Sequence, residues 1–276
     1  MNDPTGIYPR IKPKTYHFLT GLPRSGSTVL ASILNQHPNV YVTPTSPLID
    51  LLISNQNNWR SNPCVQANYF PEQLTNMTKA MINSAWQHRP EEIIIDKSRG
   101  WMKNMPSANY LFDKKMKAIV TVRDLPSIMA SWLTLLHKNP DSGFDKECEQ
   151  IFGYVNDEIR VEYMWQTMVK DCFDGLETIL HEARDQCLVV RYDDLINHPT
   201  YEIDRIHWFL GYNLPKKYYD LDNIQNDTQD DDLKAWGLNG MHTIRPQLKK
   251  VALDPKTVLG SKLYDILMDI QNEFNV

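Results

Sequence analysis

Short apolar runs alternate with longer helical patterns along most of this chain. Five runs rich in β-branched and aromatic residues predict strands at 16–20, 40–42, 92–96, 117–122 and 187–192. Several of these runs are apolar throughout, which is typical of strands that are covered on both faces of a parallel sheet. The hydrophobic pattern therefore predicts a buried, mostly parallel sheet.

Helical spacing of apolar residues separates the strands. It predicts helices at 27–36, 48–55, 71–88, 126–137 and 156–183, and a final amphipathic helix at 261–273. Alternating strands and helices favour an open α/β sheet flanked by helices, in which ligands bind at the carboxyl ends of the strands. We therefore expect an α/β fold with one domain over residues 1–276.

Three polar segments interrupt this alternation. Segments 55–68 and 138–146 are rich in turn-forming residues and predict loops between sheet elements. Loops in such positions often determine specificity. Segment 220–232 is strongly acidic and predicts a solvated connection.

Composition excludes several classes of protein. The 276 residues are 42% apolar and 23% charged, which is enough for one sizeable core. The formal net charge of -5 argues against non-specific attraction to nucleic acid, so we expect no nucleic-acid partner. The four cysteines lack the paired spacing of a zinc site or a disulfide framework, and we expect no bound metal.

Hydropathy gives no indication of a membrane segment. No stretch approaches the roughly 18 consecutive apolar residues that a membrane-spanning helix requires. The first sixteen residues also lack the apolar core of a signal peptide. From these features we expect a cytoplasmic protein without a membrane span.

The segment from Gly21 to Thr28 lies between the first predicted strand and the first predicted helix. It fits the phosphate-binding pattern G-x-x-x-x-G-K-[ST] except that Ser27 replaces the lysine. A glycine-bearing turn before a helix directs backbone N–H groups at one point, which suits a tetrahedral oxyanion. Arg24 is the single cation of this segment, so we expect a smaller negative load than a nucleoside triphosphate with its magnesium ion. Sulfuryl transfer fits that expectation, because a sulfuryl group carries less charge than a terminal phosphoryl group.

The same segment carries a resemblance to a known family. "PRSGST" followed by "VLASILNQHPNV" resembles the 5′-phosphosulfate loop and first helix of sulfotransferases that use 3′-phosphoadenosine 5′-phosphosulfate (PAPS). The nearest branch is the one that includes the tyrosylprotein sulfotransferases. The resemblance implies a P-loop NTPase-like fold, a PAPS cosubstrate and the product adenosine 3′,5′-bisphosphate (PAP). It implies that the nucleotide contacts Arg24, Ser25, Gly26, Ser27 and Thr28.

A second element, "VTVRDLPSIMAS", resembles the 3′-phosphate motif of the family, with Arg123 at a strand end and Ser131 eight residues later. Ser131 would lie about two turns along a helix, so one phosphate could contact both side chains. Weaker matches in "VVRYDDLINHP" and "GMHTIRP" imply that Tyr192, His242 and Arg245 also bind the nucleotide. The resemblance extends over residues 16–246.

The third element is "EIIIDKSRGW", in which Lys97 follows a buried strand. The family has a lysine here that supports the transferring sulfuryl group and its leaving phosphate. In-line transfer needs cations directed at the charge that develops on the bridging oxygen. The resemblance therefore implies that Arg24 and Lys97 are the catalytic residues.

The chain departs from the family at the general base. Tyrosylprotein sulfotransferases have a glutamate shortly after the "HP" of the first helix, where this chain has Pro44 and Thr45. Small-molecule sulfotransferases have a histidine two residues after the lysine, where this chain has Arg99, which cannot accept a proton. Asp50 is the nearest alternative carboxylate. The acceptor therefore stays open.

Two other functions remain as alternatives. In a P-loop kinase, Asp96 would end a Walker B strand and hold magnesium. A non-catalytic nucleotide-binding module would keep the phosphate loops without turnover. For a sulfotransferase, the partners are the nucleotide and an acceptor whose class the sequence does not specify. Four aromatic residues are candidates for lining an aromatic acceptor site, namely Trp59, Tyr69, Trp101 and Trp132.

Overall fold

The computed structural model describes residues 13–68, 70–213, 215–225, 237–244, 246–248 and 253–274. The predicted nucleotide ligand Arg245, the aromatic candidate Tyr69 and part of the acidic segment lie outside these residues.

Five parallel strands form the sheet, as the hydrophobic runs predict. They are β1 (Thr15–Gly21), β2 (Val40–Thr45), β3 (Ile93–Lys97), β4 (Ala118–Val122) and β5 (Cys187–Arg191). Their order is β2-β3-β1-β4-β5, and each of the four neighbouring pairs is parallel. Because β1 lies between β3 and β4, the loop after β1 opens between the carboxyl ends of both neighbours. The predicted α/β fold with a parallel sheet is confirmed.

Helices flank the sheet and connect its strands. Before β4 these are α1 (Ser27–Leu34), α2 (Leu48–Ser61), α3 (Pro63–Ala67), α4 (Pro71–Ala85) and α5 (Met105–Phe112), with a 3-10 helix at Arg99–Lys103. After β4 they are α6 (Leu125–Lys138), α7 (Gly143–Phe152), α8 (Asp157–Met164), α9 (Lys170–Glu182), α10 (Tyr192–Asn197), α11 (Pro199–Leu210) and α12 (Pro255–Glu273). A π-helical turn at Trp165–Val169 joins α8 to α9, which gives the long helix predicted at 156–183. None of the described helices is long and apolar enough to span a membrane.

Both predicted loop segments are largely helical, so these predictions were wrong. Segment 55–68 continues α2 and then forms α3, whose first N–H groups are capped by the Asn62 side chain. Its side chains are mostly exposed, so their polarity reflects contact with solvent and not an absence of helix. In segment 138–146 only residues 139–142 connect two helices, because the Ser142 hydroxyl accepts a hydrogen bond from the N–H of Asp145 and starts α7.

Each face of the sheet packs into its own apolar cluster. Successive residues of β1 point to opposite faces, so Phe18 belongs to one cluster and Leu19 to the other. Phe18 stacks on the buried ring of Trp101, with the ring centroids 3.9 Å apart. This burial on both faces explains why the strands read as continuous apolar runs.

The last helix, α12, packs against α6. Gly260 has a left-handed backbone (φ 72°) that interrupts α12 and separates its first turn from the predicted helix at 261–273. Leu267 is buried in the core, and the Gln271 side chain accepts a hydrogen bond from the N–H of Leu125 at 2.7 Å. The C-terminal helix therefore supports the start of α6, which forms one wall of the cleft.

Candidate active site

The loop between β1 and α1 depends on two glycines. Gly21 has φ 129°, and a Cβ atom there would lie 2.1 Å from the carbonyl oxygen of Thr121. Gly26 has φ 89° at the start of α1, and a Cβ atom there would lie 2.9 Å from the Tyr192 ring. Both positions therefore need glycine for backbone conformation and for space. Arg24 also has a left-handed backbone, with φ 57°, which is rare for a residue other than glycine.

This loop borders a cleft of about 640 Å³ at the carboxyl edge of the sheet. Other walls come from the ends of β3 and β4, one face of α6, and the part of residues 239–248 that the structure describes. Its described lining contains five cationic side chains and no aspartate or glutamate. The cations are Arg24, Lys97, Arg99, Arg123 and Lys138. A concave surface with charge of one sign attracts ligands of the opposite sign, so the cleft suits an anion.

Arg24 reaches across the cleft to α6. Its Nε donates to the Ser131 hydroxyl at 3.0 Å, and its Nη1 donates to the carbonyl oxygen of Met241 at 2.5 Å. Burial lowers the pKa of Arg24, and the nearby charge of Arg123 lowers it further. Two guanidinium groups thus share a site whose described lining offers no carboxylate, a condition that an incoming anion relieves.

Arg123 and Tyr192 complete this group. The Arg123 Nη1 donates to the carbonyl oxygen of Arg24 at 3.1 Å, and its guanidinium lies 4.3 Å from the centroid of the Tyr192 ring. The same ring packs against Gly26. The structure therefore brings together Arg24, Arg123, Ser131 and Tyr192, which the sequence analysis took from four separate segments.

Lys97 lies at the other side of the loop. Its backbone N–H donates to the Thr43 hydroxyl at 2.8 Å, which fixes the end of β3. Its Nζ donates to the Thr28 hydroxyl at 3.2 Å, in the first turn of α1. The ammonium group thus lies at the helix N-terminus, where the backbone N–H groups also favour an anion.

The remaining predicted nucleotide ligands differ in their orientation. Gly26, Ser27 and Thr28 line the cleft, and so does His242 beside Met241. Ser25 does not, because its buried hydroxyl donates to the carbonyl oxygen of Leu22 and to the Thr121 hydroxyl. The side chain of Ser25 therefore supports the loop from within.

Asp96 lies outside the cleft lining and is fully buried. Its carboxylate accepts hydrogen bonds from the Ser46 hydroxyl at 2.7 Å and from Trp101 Nε1 at 2.9 Å. Burial raises its pKa, which these hydrogen bonds partly offset. A carboxylate committed to two core donors is a poor magnesium ligand, so the kinase alternative loses its metal-binding residue. Within the described residues, no group of three or more His, Cys, Asp or Glu side chains could hold a metal ion.

The other candidates separate clearly. Asp50 is exposed in the first turn of α2 and does not line the cleft, and neither does Trp59. The acceptor-site prediction for Trp101 was wrong, because this residue belongs to the core. Trp132 does line the cleft, and its ring centroid lies 5.6 Å from the Arg24 guanidinium.

Several lining residues were missed from the sequence. Thr134, Leu135 and Lys138 follow Ser131 at spacings of three, four and seven residues and line the same cleft. That spacing places them on one face of a helix, so the position of Ser131 could have identified them.

Comparison with known proteins identifies the family. Residues 17–216 match the profile of the sulfotransferase family. The chain belongs to this family. Over 226 residues it is 26% identical to a putative protein-tyrosine sulfotransferase of Caenorhabditis briggsae, covering 79% of this chain and 74% of the relative. The protein is therefore a sulfotransferase with a sequence similar to that of enzymes named for tyrosine sulfation.

Solved structures support the fold. The sulfotransferase domain from the curacin biosynthetic pathway superimposes with a TM-score of 0.57 at 16% identity, covering 94% of this chain and 98% of that domain. Mouse sulfotransferase SULT7A1, solved in complex with PAP, gives a TM-score of 0.54 at 13% identity, covering 95% of this chain and 85% of that one. The P-loop-like sulfotransferase fold is thus shared despite low identity.

Proposed function

We propose that this sulfotransferase uses PAPS as its donor, needs no metal ion, and transfers the sulfuryl group to a hydroxyl or an amine. The observation that carries the proposal is the pairing of Arg24 with Arg123 in a cleft whose described lining has five cations and no carboxylate. PAPS carries phosphate groups at both ends of its ribose and a sulfuryl group at one of them. Cations distributed around a single cleft match this ligand.

The residues of the cleft fit the donor in two groups. Backbone N–H groups of residues 25–28, with the N-terminus of α1, would hold the 5′-phosphosulfate. Arg123 and Ser131 would bind the 3′-phosphate, since both flank Arg24 in the structure. His242 and Arg245 would add to the same end, and Tyr192 would contact the nucleotide beside Gly26. The PAP in the mouse relative's structure supports this choice of ligand.

When bound, the donor supplies the group that moves: the acceptor oxygen bonds to sulfur, the sulfur–oxygen bond to the 5′-phosphate breaks, its electron pair stays on the phosphate, and the hydroxyl proton passes to solvent. Lys97, held by Thr28, would stabilise charge on the departing phosphate oxygen, and Arg24 would share that task. We assign the proton to solvent because the described lining contains no carboxylate.

Binding of PAP to the full chain tests the proposal. We expect a dissociation constant in roughly the micromolar range by isothermal titration calorimetry, unchanged by a metal chelator, because arginine, serine and backbone N–H groups hold the phosphates. ATP with magnesium should bind far more weakly. Equal affinity for both ligands, or a requirement for magnesium, would overturn the proposal, and absence of turnover with PAPS across an acceptor screen would leave only a binding module.

We also propose that residues 1–276 act as one sulfotransferase domain, since α12 packs onto α6 at the cleft wall. Limited proteolysis should then release no stable fragment that binds PAP. Cytoplasmic location stays a prediction, which fractionation of the source cells would test.

A further inference from the structure

The cleft extends beyond the residues that the nucleotide would occupy. On α6, Ser131 and Lys138 line the same wall, and seven residues of helix separate them by roughly 10 Å. Thr134 and Leu135 lie between them on this wall. A second wall contains Arg99 and Met168. These residues are left for the acceptor if the nucleotide occupies the phosphate loop, so the inference below rests on the proposed function.

Arg99 is the best-defined cation of this outer part. It begins the 3-10 helix just after Lys97, and its carbonyl oxygen accepts a hydrogen bond from the Thr20 hydroxyl at 3.4 Å. Its side chain is largely exposed, and its Nη1 donates only a weak hydrogen bond to Cys172 Sγ at 3.7 Å. No described carboxylate forms an ion pair with it. Most of its donors therefore remain for a ligand.

Lys138 has the same character on the opposite wall. It is exposed at the last turn of α6, and no described carboxylate pairs with it. Lys103 shows the contrast, because it lies in the same 3-10 helix as Arg99 but forms an ion pair with Asp171. Cations outside the cleft can thus have acidic partners, while the two outer cations of the cleft face apolar neighbours.

The apolar part of the outer cleft is also defined. Leu135, Met168 and Leu253 line it, together with one edge of Trp132. The indole N–H of Trp132 is buried and has no hydrogen-bond partner among the described residues. A site with apolar walls and a few convergent polar groups fits a small organic molecule. A total volume of about 640 Å³, shared with the nucleotide, leaves room for a small acceptor.

We infer that the acceptor is a small hydroxylated organic acid with an apolar body, and that Arg99 binds its anionic group while Lys138 adds a second positive charge. The hydroxyl then faces Lys97 and the phosphate loop, and the apolar body contacts Leu135 and Met168. Arg99 would thus replace a base at this position with a group that selects the acceptor by charge.

Matched pairs of acids and esters test this inference. The probes are 4-hydroxyphenylacetate and 12-hydroxydodecanoate, each beside its own methyl ester, with the full chain and PAPS. For each compound we would measure kcat/KM or, without turnover, its affinity for the complex of enzyme and PAP. We expect each acid to be preferred over its ester by roughly 10-fold or more, as for a hydrogen bond to a charged group.

The Arg99→Met variant removes the charge and keeps a side chain of similar length. The acid-to-ester ratio should fall toward one, Arg99→Lys should keep part of the preference, and Lys138→Met should lower it by a smaller factor. Lys103→Met is the matched control from the same 3-10 helix and should leave the ratio unchanged. The affinity for PAP, measured for every variant, reports whether the fold and the nucleotide site are intact.

Two results would overturn the inference. One is that neither acid binds or reacts better than its ester, whatever the absolute rates. The other is that Arg99→Met lowers acids and esters equally, which would place Arg99 on the transferring sulfuryl group. Failure of the parent protein to bind PAP at all would instead overturn the proposed function, so the two failures are distinguishable.

Discussion

The two edges of the sheet use positive charge differently. Near the amino edge, Lys14 Nζ donates to the carbonyl oxygens of Arg89 and Glu91 at 2.7 and 2.5 Å. Lys117 Nζ donates to the carbonyl oxygen of Phe209 at 2.6 Å and lies 5.5 Å from its ring centroid. These lysines join separate segments of the chain, so their charges serve the fold.

At the carboxyl edge, cations face one another across a cleft. Burial and the charge of Arg123 both lower the pKa of Arg24, so the folded protein holds these guanidinium groups at a cost in stability. The comparison teaches that charge placed against the interest of the fold marks the functional site. Substitutions at the carboxyl edge should therefore alter binding and turnover, and substitutions at the amino edge should alter stability.

The largest effect is expected for Lys97→Ala. A cation that stabilises the departing oxygen acts mainly in the transition state, so turnover should fall by about 10² to 10³, or roughly 3–4 kcal/mol, with little change in PAP affinity. Lys14→Ala is the control from the other edge and should lower the midpoint of thermal unfolding while keeping turnover. If Lys97→Ala works within about threefold of the parent rate, Lys97 has no catalytic role and Arg24 remains the sole candidate.

A smaller effect is expected for Arg123→Ala. Loss of a charged hydrogen bond to the 3′-phosphate should weaken PAP by about 1.5–3 kcal/mol and leave AMP almost unchanged. Calorimetric titration with both nucleotides gives this difference directly. An equal loss for AMP and PAP would assign Arg123 to the 5′ end of the nucleotide or to the fold.

Sequence reasoning predicted the sheet better than its surroundings. All five strands follow from apolar runs, because burial on both faces leaves a continuous signal. Helices α7 and α11 were not predicted, since their exposed polar faces read as connections. The extension of α2 through Trp59 failed for the same reason. An exposed helix depends on caps and packing, which composition alone does not reveal.

Within the site, the local motifs were easier to recognise than the outer cleft. Arg24, Arg123 and Ser131 belong to short motifs whose chemistry depends on adjacent residues, and the structure brings them into contact. The outer wall joins Arg99 to Met168 and Leu253, which are distant in sequence. Only the packing of the 3-10 helix against α9, and of α12 against α6, brings these residues to one cleft.

The smallest effect concerns His17 near the amino edge, a test of stability alone. Burial, helped by Lys114 and Lys117, lowers its pKa from 6.5 to about 3. Above pH 6.5 His17 is neutral in both states, and as the pH falls below 6.5 the unfolded chain takes up a proton that the folded chain refuses. Its contribution should destabilise the fold by about 1.4 kcal/mol at pH 5.5 relative to pH 7.5.

Denaturant unfolding at the two pH values would measure this difference for the parent and for His17→Gln. The glutamine does not titrate and can still bond to the Tyr212 hydroxyl, which lies 2.8 Å from His17 Nε2. The variant should therefore lose about 1.4 kcal/mol less than the parent on acidification. The same pH dependence in both proteins would show that other groups are responsible.

The left-handed backbone of Arg24 has a consequence for laboratory evolution. Glycine and asparagine adopt φ 57° more easily than arginine, so either would relieve strain at position 24. A library sorted only for folded, well-expressed protein should thus become enriched in glycine or asparagine there. A library sorted for sulfated product should retain arginine. Selecting this protein for robustness alone would erase its chemistry at the residue where the backbone is least comfortable.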